Sequence, residues 1–190
     1  STAAAEQYYE SWGQNGERSA LIKARVIAGD KPLGVSFLDG LEPFIWRKSL
    51  DFYAIQDIHS IKRQMYAAKG GSQVDVAGHD IKTGRGGIRE IEFFAQIQQL
   101  IWGGRIPELR EPGTLAALKA LADNGLVEPA VTAELSESYV FLRHLEHRLQ
   151  MINDEQTQRI PAQLSEAEHL ACFFGYAAFD AFASDVRRHL

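Results

Sequence analysis

The chain has 190 residues, of which 25 are acidic and 20 are basic, and its formal net charge is −5. It is 45% hydrophobic and 24% charged, close to the globular average, which excludes long disorder, collagen and disulfide-rich scaffolds. The acidic balance argues against a dedicated nucleic-acid-binding domain. The sequence has no run of about 18 apolar residues, so it predicts no membrane span.

The one cysteine, Cys172, cannot form a disulfide within the chain. This favours a reducing, cytoplasmic setting. Because Cys172 lies in the apolar run 170–174, we predict that its side chain is buried. The chain also begins in mid-helix pattern without an initiator methionine. We therefore expect a fragment of a longer protein.

The sequence pattern is overwhelmingly helical. Apolar residues recur at helical spacing, with glycine or proline between the periodic segments. The predicted helices span 3–12, 17–28, 33–41, 44–68, 88–102, 115–122, 129–154, 167–174 and 178–190. Thr114 is predicted as an N-cap, and Ser165 with Glu168 as a capping box. Residues 74–87 are predicted to be extended and non-helical, so the fold class is mainly α, a helical bundle.

The most unusual segment lies just before the helix predicted at 88–102. Gly84, Gly86 and Gly87 precede the helix start, and Lys82, Arg85 and Arg89 surround these glycines. Free amides at a helix N-terminus, together with cations, can bind phosphate. Glu90 and Glu92 follow in the first turns, where carboxylates either stabilise the helix dipole or contact a metal, a cation or a substrate hydroxyl.

Three further groups of polar residues are candidates for a functional or a structural role. Lys23 and Arg25 follow Arg18 on a predicted helix. These residues either form an exposed basic face or contact a phosphate or carboxylate group. His144 and His147 share a helix face, but zinc needs at least one more ligand and there is no HExxH pattern. The polar run 153–158 is either solvated or part of a buried hydrogen-bond network.

The passage Gly-Gly-Ile-Arg-Glu-Ile-Glu-Phe at 86–93 resembles the family of bifunctional glutamine synthetase adenylyltransferases/adenylyl-removing enzymes. The resemblance continues in order along nearly the whole chain. Its other passages are 8–9, 17–18, 21–25, 29–30, 43–47, 50–52, 61–62, 81–82, 98–101, 103–105, 107, 139–143 and 152–158. It implies that residues 1–48 are the helical tail of a nucleotidyltransferase domain whose catalytic sheet is missing. Residues 49–190 would be the helical bundle domain that follows.

The resemblance also implies an activity. It points to the half of the family's chain that removes adenylyl groups, by phosphorolysis of adenylyl-tyrosine on glutamine synthetase to ADP. The other half attaches AMP from ATP with Mg²⁺, and the PII signal-transduction protein and glutamine regulate the balance. The family's metal-binding carboxylates would precede Ser1. We therefore expect the fragment alone to be inactive, with no metal ligands and no bound cofactor of its own.

The predicted site residues follow from cation and glycine placement. Lys82, Arg85, Gly86, Gly87 and Arg89 are predicted to contact phosphate or nucleotide in the longer enzyme. Glu90 and Glu92 are supporting candidates that would orient those cations or a water molecule. The weaker phosphate candidates are Lys23 and Arg25.

Two other functions remain open. The bundle could be a non-catalytic interaction module that docks glutamine synthetase, the PII protein or the other half of its own chain. The chain could also belong to a uridylyltransferase acting on PII, which the passages at 86–93 and 153–158 disfavour. The expected partners are proteins in the cytoplasm, with neither nucleic acid nor membrane among them.

Overall fold

The computed structural model describes residues 1–48, 74–152 and 154–190. Within these ranges the chain forms eight α-helices, one short 3-10 helix and no β-strand, apart from an isolated antiparallel bridge between Asp80 and Arg159. The mainly α fold class is therefore confirmed. No helix in this part of the chain is both long and apolar enough to cross a membrane.

The helices are numbered here in chain order. They are α1 (Thr2–Trp12), α2 (Asn15–Leu21), α3 (Lys31–Ile45), α4 (Ile88–Trp102), α5 (Thr114–Asp123), α6 (Pro129–Met151), α7 (Leu164–Phe173) and α8 (Phe179–His189), with the 3-10 helix at Pro107–Leu109. The predictions for α1 and α4 agree with the structure to within one residue. The extended stretch before α4 is also non-helical, as predicted.

Helix bounds differ from the prediction in the first third of the chain. α2 ends at Leu21, so Lys23 and Arg25 follow the helix rather than lie on it. α3 passes through Pro43 and ends at Ile45, because the burial of Phe44 and Ile45 outweighs the lost amide donor of the proline. The predicted helix 44–68 therefore does not begin at Phe44. Its residues 49–68 lie outside the described residues.

Three local predictions in the last part of the chain are wrong. Thr114 is the first residue of α5, and Gly113 occupies the N-cap position. Ser165 lies within α7, which begins at Leu164, so it forms no capping box. Cys172 is exposed. Its helix buries Leu170 and Ala171 instead, so the neighbouring position points away from the core.

The described residues form two compact units. The first contains 1–48 and Phe94–Glu128, and the second contains 74–93 and the described part of Pro129–Leu190. The core of the first unit consists of Ile22, Leu41, Phe44, Ile45 and Leu100, with Tyr9, Leu21, Phe37 and Trp46 packed around it. The predicted domain boundary between residues 48 and 49 adjoins residues that are not described, and it stays a prediction.

In the second unit, α6, α7 and α8 contact one another. α6 buries Leu142, Leu145 and Leu149 on one face, at the spacing of an amphipathic helix. Phe182 of α8 is fully buried and meets the rings of Phe174, Tyr176 and Phe179 at centroid distances of 5.6 to 6.0 Å. This helical core supports the loop that carries the candidate site.

Candidate functional site

Residues 79–87, called the glycine loop below, are fixed at their start by main-chain hydrogen bonds. The Ile81 amide donates to the Gln158 carbonyl at 3.0 Å, and the Ile160 amide donates to the His79 carbonyl at 2.9 Å. Ile81 and Ile160 are both fully buried. The loop is therefore attached to the core through residues about 80 positions later in the chain.

Asp80 organises the next turn of the loop. Its Oδ1 accepts hydrogen bonds from the amides of Lys82 at 3.0 Å and Thr83 at 2.8 Å. Partial burial raises the pKa of the carboxyl group, but the hydrogen bonds from Thr83 and Lys82 and the charge of Arg159 outweigh it, so the pKa is lowered overall. Asp80 is therefore a charged anchor at neutral pH.

We expect Asp80→Asn to lower the free energy of unfolding by about 1 kcal/mol at pH 7, because the hydrogen bonds lose their charged acceptor. Since the folded pKa lies below the ordinary value of 3.8 for an aspartate carboxyl group, this stabilisation is present above the unfolded pKa and is lost as the pH falls through the folded pKa. The difference between wild type and variant should therefore shrink below about pH 4. Urea unfolding at pH 7, 5 and 3 measures it, and a difference independent of pH would contradict this assignment.

The glycines of the loop are required by close packing. A Cβ atom on Gly84 would lie 2.0 Å from the Asp80 carbonyl oxygen and 2.7 Å from the His79 ring. Gly86 has a φ of +72°, and a Cβ there would lie 1.8 Å from the Leu190 carbonyl oxygen. Both positions exclude larger residues for reasons internal to the chain.

The amides at the start of α4 are not free, contrary to the prediction. The amides of residues 87 to 90 donate to the main-chain carbonyls of residues 81, 82, 84 and 87, at 2.9 to 3.1 Å. Gly87 is also buried. The glycine loop folds back and caps its own helix, so these four amides are not available to a phosphate.

The predicted cations lie close to one another along the chain, with Lys82 and Arg85 on the glycine loop and Arg89 in the first turn of α4. The side chains of Arg85 and Arg89 are exposed. Lys82 is partly buried, and its Nζ lies 3.2 Å from Glu146 Oε1. This segment thus carries two exposed arginines and a lysine whose ammonium group forms an ion pair with α6.

The supporting carboxylates lie in the first turns of α4. Glu92 Oε1 accepts a hydrogen bond from the Tyr139 hydroxyl at 3.3 Å, which links α4 to α6. Glu90 is partly buried. Among the described residues, no group of three or more His, Cys, Asp or Glu side chains could hold a metal ion.

Lys23 and Arg25, the weaker candidates, lie in the first unit. Lys23 Nζ donates to Thr114 Oγ1 at 3.3 Å, and Arg25 is exposed. The interpretation of an exposed basic face is wrong for Arg18, which is fully buried and donates from Nη2 to the Ile45 carbonyl at 3.0 Å. That carbonyl ends α3, where helices leave acceptors without intrahelical partners.

Sequence reasoning missed the role of Glu146, which lies between the two histidines weighed as metal ligands. Its side chain is 2% exposed and pairs with Lys82 and Arg143. The sequence does contain a signal for this burial, since position 146 shares the apolar face of α6 with Leu142 and Leu149.

In the polar run 153–158, residues 154–156 are exposed, in agreement with a solvated segment, whereas Asn153 is outside the described residues.

A family model described as GlnD PII-uridylyltransferase matches residues 59–190, more than two thirds of the chain. The chain belongs to the GlnD PII-uridylyltransferase family. A second model, described as Glutamate-ammonia ligase adenylyltransferase, matches residues 1–40 of this family member.

Curated relatives align with this member of the GlnD PII-uridylyltransferase family over nearly its whole length. It is 54% identical over 190 residues, the full chain, to a protein of Rhodopseudomonas palustris (strain HaA2), and 54% identical over 187 residues, 98% of the chain, to one of Caulobacter vibrioides. Both are named bifunctional glutamine synthetase adenylyltransferase/adenylyl-removing enzyme, which confirms the resemblance seen in the sequence. The chain spans 19% of the length of each relative.

Proposed function

We propose that this chain is part of an enzyme that attaches and removes adenylyl groups on glutamine synthetase, and that it belongs to the half that removes them. The observation that carries the proposal is 54% identity, over all 190 residues, to a protein named for both activities. Because the chain spans 19% of that relative, the activity is proposed for a longer protein that contains it. That protein would use Mg²⁺, ATP, ADP and phosphate and respond to the PII protein.

The proposed reaction is phosphorolysis. An oxygen of inorganic phosphate attacks the phosphorus of the adenylyl group, and the bond from that phosphorus to the tyrosyl oxygen breaks. The tyrosyl oxygen takes up the proton of the hydrogen phosphate, so the products are ADP and unmodified tyrosine. Two anionic reactants must approach each other in this step, which requires cations that hold phosphate in position.

The glycine loop supports this role through its side chains. Arg85 and Arg89 are exposed, and the backbone that carries them is fixed by the hydrogen bonds at residues 80 and 87 to 90. The guanidinium group binds phosphate through two parallel N–H donors. A fixed loop with two exposed arginines and one lysine is therefore suited to hold inorganic phosphate through side chains rather than through the main-chain amides of residues 87 to 90.

The test uses Arg85→Ala and Arg89→Ala in the longer protein, with adenylylated glutamine synthetase as substrate. We expect each substitution to raise the KM for inorganic phosphate by roughly tenfold or more, because each removes a charged phosphate contact. Lys119→Ala is the matched control, since this exposed lysine pairs with Asp123 on α5. Unchanged phosphate KM in both arginine variants would refute the proposed site.

One observation favours docking as a second function. Trp12 is 75% exposed and Tyr8 is 45% exposed on α1, whereas Tyr9 and Leu21 pack against the first core. The proposed docking partners are glutamine synthetase, the PII protein or the other half of the longer chain. Calorimetric titration of this chain with each protein tests the idea, and we expect Trp12→Ser to weaken any such binding. If none of them binds, docking by this face is excluded.

The family's description favours a third candidate, uridylyl transfer to PII. The relatives aligned over the whole chain are instead named for adenylyl transfer and removal. Assaying the longer protein with UTP and PII, and in parallel with adenylylated glutamine synthetase and phosphate, separates the two. We expect turnover only in the second assay.

A further inference from the structure

Glu146 is a buried carboxylate within the apolar face of α6. It is 1% exposed, and Leu142, Leu145 and Leu149 around it on the same helix are buried. A buried carboxylate is strongly unfavourable unless cations and hydrogen-bond donors compensate its lost hydration. Its partners therefore indicate why a charge occupies this position.

Two cations meet this carboxylate from the direction of the surface. Arg143, one turn earlier on α6, contacts Oε2, and Lys82 Nζ lies 3.2 Å from Oε1. The Lys82 and Arg143 side chains are 31% and 36% exposed, against 2% for Glu146. Within the described residues, Oε1 makes no hydrogen bond of acceptable geometry, so its ion pair with Lys82 is its main compensation.

Both the main chain and the ammonium group of Lys82 are bonded to neighbouring groups. Its amide donates to Asp80 Oδ1 at 3.0 Å, and its carbonyl accepts from the Arg89 amide at 2.9 Å. The ammonium group would otherwise sample many positions on its four-carbon stem. Glu146 restricts it to one region next to α6.

We propose that Glu146 is a positioning residue, which holds the Lys82 ammonium group where it binds inorganic phosphate together with Arg85 and Arg89. This inference rests on the proposed function. Stability alone does not account for the charge, because replacing a buried ion pair with apolar residues of similar volume is often neutral or stabilising. A cation that must be held in one position, in contrast, needs a fixed anion as its partner.

The experiment is a double-mutant cycle on the KM for inorganic phosphate in the longer protein, with adenylylated glutamine synthetase as substrate. We expect Glu146→Gln and Lys82→Met each to raise this KM by about tenfold, with a smaller effect on kcat. In the Lys82→Met background, Glu146→Gln should raise it by less than about twofold, because Glu146 acts through the lysine. If Glu146→Gln acted by loosening the fold in general, it would raise the KM by the same factor in the Lys82→Met background as in the wild type.

Glu134→Gln is the matched control, since Glu134 is exposed on the same helix, and it should leave the phosphate KM unchanged. Glu146→Asp, which retains the charge but withdraws the carboxylate, gives the same test if Glu146→Gln does not fold. The inference about Glu146 alone would be overturned if Lys82→Met, Arg85→Ala and Arg89→Ala raise the phosphate KM but Glu146→Gln does not. It would also be overturned if Glu146→Gln raises the KM by the same factor with and without Lys82→Met. Unchanged KM in all the cation variants would overturn the proposed site as well.

Discussion

Phe182→Ala is expected to lower the free energy of unfolding of this chain by about 3–5 kcal/mol. The ring is fully buried in α8 and contacts Phe174, Tyr176 and Phe179. Removing it loses the transfer free energy of a large apolar group and leaves a cavity that surrounding rings fill only in part.

Urea unfolding followed by circular dichroism measures the effect. Phe173→Ala is the control, because Phe173 is 49% exposed on α7 and should cost less than about 1 kcal/mol. Equal losses for the two phenylalanines would contradict the packing of α8 in the structure.

Gly84→Ala is expected to lower the free energy of unfolding by about 3 kcal/mol. The added methyl group would meet the Asp80 carbonyl oxygen at 2.0 Å, so the turn held by Asp80 must open. Because the same turn carries Lys82 and Arg85, the phosphate KM of the longer protein should rise as well. Thermal unfolding and the steady-state assay together test this prediction.

Gly16→Ala provides the comparison, since a Cβ on Gly16 would meet nothing within 4 Å. Alanine there lies at the start of α2 and should be neutral or stabilising by up to about 1 kcal/mol. If Gly84→Ala were as stable as Gly16→Ala, the close approach between residues 80 and 84 would be wrong.

Local sequence signals were sufficient for part of the fold. Helix α4 lies between glycines 87 and 103, and its apolar stripe gives both ends correctly. α2 and α3 were mispredicted because long-range contacts decide their ends. The buried guanidinium of Arg18 and the core position of Phe44 have no signature in local periodicity.

The sequence indicated where the candidate site lies in the chain, but not the hydrogen bonds and ion pairs that its groups form. The sequence indicated the glycines and cations of residues 82–89 as the unusual segment. It could not show that the amides of 87 to 90 bond within the loop, because those partners are set by how the loop folds. It also could not show that Lys82 meets a carboxylate 64 positions later, at Glu146. The prediction that Cys172 is buried was wrong for a simpler reason. An apolar run on a surface helix still has an outward face, and Cys172 lies on it.

The affinity of the longer protein for inorganic phosphate shows directly whether the glycine loop binds phosphate. It is measured by isothermal titration calorimetry with and without Arg85→Ala and Arg89→Ala together. We expect the wild type to bind phosphate and the double variant to bind at least about tenfold more weakly, a loss of about 1.4 kcal/mol or more. Equal affinity in the two proteins would contradict the claim that the glycine loop holds the phosphate that removes the adenylyl group.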